Sequence, residues 1–445
     1  MCVSINLYHH SRSSNNSSVI MTLQSMCVKS ELCLFEPLNA QAVMESSMWY
    51  DCYPTSSIDN SSYVEFNIHN SNPNEYLDMN DTVLEVKACV LAKDGKQIAA
   101  SGAAASSPNI STTNYLLHSM FEDVALYLNN VKIEGGNSLY PFKAVLQNKL
   151  NLSAETRDIQ LRSAGYIDNV MERRQKFCDN SVVFQLMGCL NVDFFQTQSK
   201  YLLPGVNVRL RLTRSKNDFV LHVDGTNHQP QLRLLDAILY VRKVQCIPAV
   251  SLGHQLGMKK HHATYPYTRT EIIPHQVVAG TQTCVRDNLF NGLLPKFVML
   301  CMVDERAMAG NYKQDPLEFQ HFNVTHLSLS LNGQSIPYRI GYNPDFQNNF
   351  YTREYFISMI QNLEYMRLDR NNGITMDDWA NNGSCIFTFN LTPDFTLTQE
   401  QPKRYGNLRL NLKFFEPLKQ NINVLIMGLF DAHLQITQNR DILIE

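Results

Sequence analysis

No two cysteines in the sequence are spaced as Cys-x-x-Cys. The 11 present, Cys2, Cys27, Cys33, Cys52, Cys89, Cys178, Cys189, Cys246, Cys284, Cys301 and Cys385, are odd in number and scattered. That pattern implies no disulfide framework and suits free thiols in a reducing compartment. Long apolar runs are missing as well. Phe297–Val303 and Val424–Phe430 are the longest, far short of the roughly 20 residues a membrane-spanning helix needs. The opening stretch Met1 to His10 has neither a basic leader nor a small-residue cleavage site, so the reading is of a chain that is not secreted. On that reading the sequons at Asn109, Asn323 and Asn390 are chance matches.

An excess of either charge is absent: 38 Lys plus Arg face 41 Asp plus Glu, a net charge of -3. Such a surface offers no general attraction to phosphate backbones, so strong direct nucleic-acid binding is not expected. One local basic stretch, Lys259, Lys260, His261, His262 and Arg269, is interleaved with Tyr265 and Tyr267. It reads as a solvated loop, common on neutral proteins.

Catalytic signatures are missing too. There is no Gly-x-x-x-x-Gly-Lys-Ser/Thr loop to cradle phosphates, no His-Glu-x-x-His and no Gly-x-Ser-x-Gly elbow. Asp369–Asp378 is rich in oxygen ligands, but a calcium loop needs Gly at its sixth position and Glu at its twelfth. Gly373 is fifth and Ala380 is twelfth, so the stretch reads as a polar turn before Trp379. The adjacent pairs His9-His10 and His261-His262 point apart in an extended chain and do not chelate one metal. The sequence therefore assigns no catalytic, cofactor-binding or metal residue, and the chain is read as no enzyme.

What the sequence does hold is material for a core, with 44% hydrophobic and 10% aromatic residues over 445 positions. That length suggests two domains. Residues 1–45, rich in Ser, Asn and Met, read as an N-terminal arm whose first 25 residues or so pack poorly. From Tyr63 onward short segments alternate between apolar and polar, as in Tyr63–Ile68, Val83–Ala88 and Val124–Leu128, which marks strands with one buried face. Two helices are expected, one in each half: Phe142–Leu150 behind Pro141, and Thr352–Leu363 with Tyr355, Phe356, Met359 and Ile360 on one face.

A long internal repeat organises these strands. Phe121–Asn130 matches Val324–Gly333 at an offset of 332 − 129 = 203, and Val208–Leu212 matches Leu408–Leu412 at 408 − 208 = 200. Leu235-Asp236-Ala237, within a strand running to Val241, matches Phe430-Asp431-Ala432, within one running to Ile436, at 431 − 236 = 195. A period this long repeats a whole domain. The boundary is expected around Pro248–Gly253, giving an arm over 1–45, a first domain over 46–248 and a second over 249–445. All-β domains of this size point to sandwiches or jelly rolls.

The chain resembles the double jelly-roll, hexon-like major capsid proteins of Polinton (Maverick) elements and adintoviruses. The resemblance rests on Cys27–Leu32, Leu116–Val124 with Leu128-Asn129, Tyr140-Pro141-Phe142, Tyr201–Val206, Arg242-Lys243-Val244, Tyr265-Pro266-Tyr267 and Gly406–Leu410 through to Asp441. It runs from about residue 27, leaving residues 1–26 outside the match. It implies an all-β double jelly roll with short helical insertions. It also implies a homotrimer with a nearly six-sided outline, a capsid lattice around double-stranded DNA, and a penton-type minor capsid protein as partner. The implied location is the virion, after synthesis in the host cytosol and assembly there or in the nucleus. A jelly-roll carbohydrate-binding or cupin-like enzyme is the alternative, and it would need clustered His and carboxylate ligands at a barrel mouth. Subunit-interface residues are unknown at this stage, although Phe350, Tyr351 and Tyr355 are candidates for exposure in a lone chain.

Overall fold

The computed structural model describes residues 41–58, 61–99, 109–168, 174–196, 200–224 and 228–444. The arm up to residue 40, Cys2, Cys27, Cys33, the His9-His10 pair and the matching stretch Cys27–Leu32 lie outside them. The strands in chain order are β1 Met44–Cys52, β2 Tyr63–Ile68, β3 Glu75–Leu91, β4 Asn109–Thr112, β5 Phe121–Leu128, β6 Val131–Glu134, β7 Phe184–Cys189, β8 Val208–Arg214, β9 Leu221–Asp224 and β10 Gln231–Cys246. They continue as β11 Ala263–Val277, β12 Thr283–Leu289, β13 Phe297–Asp304, β14 Val324–Leu331, β15 Gln334–Ile336, β16 Ile386–Asn390, β17 Leu408–Phe414, β18 Ile422–Ile436 and β19 Ile442–Ile444.

Four of the sheets form two matched pairs. The orders β1-β10-β3-β7 and β2-β8-β5-β6 recur in the second half as β11-β18-β13-β16 and β12-β17-β14-β15. In chain order each set holds its eight strands in the same places, two antiparallel sheets of four, with β19 added beside β18 in the second half, which is the jelly roll. The sheet pattern follows the alternation read from sequence. In β8 the residues Val208, Leu210 and Leu212 are buried, while Arg209 and Arg211 face outward and lie 4.3 and 4.0 Å from the rings of Tyr127 and Tyr63.

The repeat holds to the residue in the β5 and β8 region. Leu128 pairs Val208 and Leu331 pairs Leu408, and both ladders carry a bulge near their other end, at Phe121/Asp123 and at Val324/His326. Both β5–β6 and β14–β15 turns place two residues at positive φ, Asn129 and Asn130 in one, Asn332 and Gly333 in the other. The Asn side chains make the same contact: Asn207 N donates to Asn129 Oδ1 at 2.8 Å, and Asn407 N to Asn332 Oδ1 at 2.9 Å.

The third sequence match slips. The strands β10 and β18 do occupy corresponding central places, but the β3–β7 ladder starts at Val83 and the β13–β16 ladder at Phe297. Aligned on those starts, Val86 with its partner Ala237 corresponds to Leu300 with its partner Ile426. The offset is then 426 − 237 = 189 rather than 195. The connections before the two strands differ in length, 215–230 ahead of β10 and 415–421 ahead of β18, and β10 breaks register at Leu234/Asp236 and at Tyr240/Arg242; a linear comparison cannot place such insertions.

Helices depart from expectation in number and in shape. Tyr140–Asn151 covers the expected Phe142–Leu150, but a further helix, Pro248–Met258, spans the stretch between β10 and β11 where a bare boundary was expected. Lys259, Lys260 and His261 are exposed just after it, whereas Tyr265 and Tyr267 point into the core. The expected helix Thr352–Leu363 begins as α-helix over Thr352–Phe356 and widens to a π turn over Ile357–Gln361. The wide turn rotates the face: Met359 is buried and Phe356 exposed, while Ser358 Oγ donates to Ile386 O at 2.9 Å and Asn362 Nδ2 to Thr388 O at 2.6 Å. Of the three candidates for exposure, Phe350 is exposed, Tyr351 is buried near Trp379, and Tyr355 is half-buried with its hydroxyl donating to Ile374 O.

Because Gly333 sits at φ 87 with nothing within 4 Å of a built Cβ, the cost of a side chain there is backbone strain alone. Gly333→Ala is expected to destabilise the protein by about 1 kcal/mol, read as a lowered thermal midpoint; an unchanged midpoint would show that the turn does not need its left-handed conformation.

Candidate functional site: the joint between the two barrels

The two barrels meet through long connections rather than through their sheets alone. The link from β6 to β7 runs over 135–183 and the link from β15 to β16 over 337–385, each 49 residues long. Both expected helices fall in this same connection of their barrels, a correspondence the sequence reading left unremarked. Trp379 anchors the second connection: it is fully buried, donates from Nε1 to Ile386 O at 2.8 Å and packs on Phe346 and Phe387. Thr375 and Asp378 cap its short helix reciprocally, which accounts for the polar residues of Asp369–Asp378. That turn also does what its polar reading did not suggest. Gly373, at φ 66, lies so close to Ala154 that a Cβ would stand 2.3 Å from the Ala154 Cβ, so only glycine lets the two connections touch here.

Hydrogen bonds sew these connections together, and the first of them to the β13–β14 connection at Asp315, across the barrels. Lys149 Nζ donates to Ser384 Oγ at 3.0 Å, Arg157 to Asn372 O at 2.5 Å, Tyr365 Oη to Leu150 O at 2.6 Å, and Arg174 pairs with Asp315 at 3.2 Å. Burial lowers the pKa of Lys149. Nearby charges of both signs line a cleft of about 490 Å³, among them Lys149, Asp168, Arg174, Asp315 and Glu318. Arg174 pairs with Asp315, Asp168 with Arg157, and Lys149 bonds Ser384, so these side chains serve packing across the seam.

The densest joint forms where the β7–β8 connection of the first barrel meets β11, the first strand of the second. Leaving β7, the chain makes a short helical turn over Asp193–Gln196. Phe194 packs 6.0 and 6.1 Å from the rings of Tyr265 and Tyr267 on β11. The Asp193 carboxylate accepts from Thr270 N at 2.6 Å and from Thr270 Oγ1 at 3.0 Å. Lys143 Nζ lies 2.8 Å from Asp193 and bonds Glu134, whose second oxygen accepts from Asp193 N at 2.7 Å. A buried polar chain continues inward from Asp193 through Gln147, Asn191 and Tyr140 to His118 Nδ1, 2.7 Å from the Tyr140 hydroxyl.

Charge balance within this joint is set by burial. Desolvation pushes Glu134 up to about 7, with the Asp193 charge adding to it and Lys143 opposing. For Lys143 burial works against the charged form, but the attraction of Asp193 and Glu134 outweighs it and raises the pKa. Full burial pushes His118 down to about 3, leaving it a neutral member of the chain. Among the described residues no three His, Cys, Asp or Glu side chains converge as a metal site would require, and no helix is long and apolar enough to cross a membrane.

Known protein families were searched and none matches the chain. Among curated proteins, an uncharacterised Caenorhabditis elegans protein, F54H12.2, is 24% identical over 313 residues, spanning 67% of this chain and 74% of that protein. Among solved structures, a chain of the Sputnik virophage superposes with a TM-score of 0.60 at 10% identity, covering all of this chain and 94% of that one. A chain of the PBCV-1 virus capsid gives 0.58 at 12% identity over 92% of this chain and 98% of that one. The mavirus major capsid protein gives 0.52 at 8% identity over 99% and 97%.

A raised Glu134 contributes stability that is full below its unfolded pKa near 4.5 and is lost as the pH rises through about 7. Lys143→Met, which leaves Glu134 facing Asp193, is therefore expected to cost roughly 3 kcal/mol at pH 8 and clearly less at pH 5. Thermal unfolding at the two pH values checks this, and an equal loss at both would contradict it. The sheet topology repeated in each half and the likeness over whole chains give the fold of this protein: two jelly rolls in tandem, the architecture it shares with viral capsid proteins.

Proposed function

We propose that the chain is a major capsid protein of a Polinton (Maverick) or adintovirus-type element, a structural subunit of an icosahedral shell around double-stranded DNA. The observation that carries the reading is end-to-end likeness: both jelly rolls and their connections are matched together in a capsid protein, at 99% of this chain for mavirus. A tandem pair gives a subunit with two similar but unequal sides. Three copies closed by one repeated heterologous contact set six barrels around an axis, and such a unit tiles a hexagonal lattice. The domain limits that go with this reading are an arm over 1–45 and jelly rolls over 46–248 and 249–445, with the helix Pro248–Met258 as the hinge piece between them. A penton-type protein would close the vertices, and the virion would be the place of action.

The reading accords with side chains that build a joint instead of a reaction centre. Buried charges such as Lys143, Glu134 and Asp193 are spent on one another and on β11. The enzyme alternative, a carbohydrate-binding or cupin-like protein, draws on no converging ligand set among the described residues.

Mass photometry and sedimentation of the purified full chain test the reading. Trimers or larger shells at micromolar concentration are expected, with well over ~2,000 Å² buried in the trimer as stable obligate contacts require; a stable monomer would overturn it.

A further inference from the structure

Among the described residues the joint inside one chain has a second, exposed copy. Strand ladders put the β7–β8 and β16–β17 connections in register at an offset near 201: Val86 pairs Leu186 as Leu300 pairs Phe387. At that offset Leu190, Asp193 and Phe194 correspond to Leu391, Asp394 and Phe395. The first connection is covered by β11, so that Phe194 is 1% exposed. Phe395 is 43% exposed. The same contrast repeats further along. Leu202 bridges Leu77 and is fully buried, whereas Tyr405, in the corresponding antiparallel bridge to Leu293, is 72% exposed.

The other half of the joint is exposed as well. β11 is the edge strand beside β18, and its counterpart in the first barrel is β1, the edge strand beside β10. β11 buries Tyr265 and Tyr267 beneath Phe194, but β1 is exposed along almost its whole length, presenting Met48, Trp49 and Tyr50, with Tyr53 just beyond. Solvent-facing Trp and Tyr on an edge strand are the composition of an interaction surface.

Resting on the trimer reading above, we propose that the β16–β17 connection of one copy, through Phe395 and Tyr405, docks on β1 of a second copy at Met48–Tyr53, repeating between chains the contact that Phe194 and Asp193 make with β11 within one. The surfaces match in kind because they descend from the same joint: one offers an aromatic on a short connection beside a carboxylate, the other an extended strand edge. Each chain exposes one such connection and one such strand at opposite barrels, so the contact is heterologous, and on the trimer reading it closes into a ring. Asp394 is already oriented by Thr396 N at 3.2 Å and by Gln401, as Asp193 is held ready for Thr270.

The test uses the full chain with the photo-reactive aromatic p-benzoylphenylalanine at position 395, irradiated and digested for mass spectrometry. A cross-link to the Met48–Tyr53 peptide in species of two and three chain masses is expected. In parallel, Phe395→Ser with Tyr405→Ser, both exposed, is expected to leave the circular dichroism spectrum unchanged and to raise the trimer dissociation constant about tenfold or more. Cross-links from trimers that land on residues 1–40, or elsewhere away from β1, would overturn the docking, as would a double variant that assembles like the wild type. A wild-type chain that stays monomeric is a different result, overturning the trimer reading on which the docking rests.

Discussion

The whole arrangement depends on a carboxylate and a phenyl ring that leave their own barrel. Asp193 caps the backbone and hydroxyl of Thr270 while Phe194 seats on Tyr265 and Tyr267, so the β7–β8 connection of one jelly roll is the floor on which the next is built. Buried as it is, the Asp193 charge would be costly alone. Lys143 and the polar chain behind it hold it in place, and Lys143, Gln147 and Tyr140 come from the helix Tyr140–Asn151 of the β6–β7 connection. The sheets supply the strand scaffold, but the long connections supply the geometry between barrels. Gly373 against Ala154, Arg157 on Asn372 and Tyr365 on Leu150 fix the same relation from the other connection.

Much of this was legible in the linear sequence, and unevenly so. The matches Phe121–Asn130 with Val324–Gly333 and Val208–Leu212 with Leu408–Leu412 proved exact, because the two segments pair with each other in one ladder and the two ladders hold the same register. The match in β10 and β18 was displaced by six residues, since the connections leading into these strands, 215–230 and 415–421, differ in length and shift the offset between one ladder and the next. The helix around Met359 was placed correctly but turned wrongly, as a π turn breaks the spacing on which the face was judged.

The joint itself went unread for a different reason. Asp193 and Thr270 lie 77 positions apart and share no periodicity, so nothing local links them. A signal did exist: Leu190, Asp193 and Phe194 recur as Leu391, Asp394 and Phe395 at 201, between the 200 and 203 of the matches that were found. Three identities in five positions are weak in isolation and become informative only when the ladders on either side fix the offset. Exposure then separates the copies, since the same residue type is covered in the first barrel and open in the second.

A protein whose barrels are joined this way has a defined angle between its two halves before it meets any partner, which is what a lattice subunit needs and an isolated binding domain does not. Cryo-electron microscopy of the purified full chain tests this most directly. The account predicts three-fold averages with six barrels around the axis and a nearly hexagonal outline, each β16–β17 connection resting on a neighbouring β1. Single particles of two barrels, or pairs related by a two-fold axis, would contradict it.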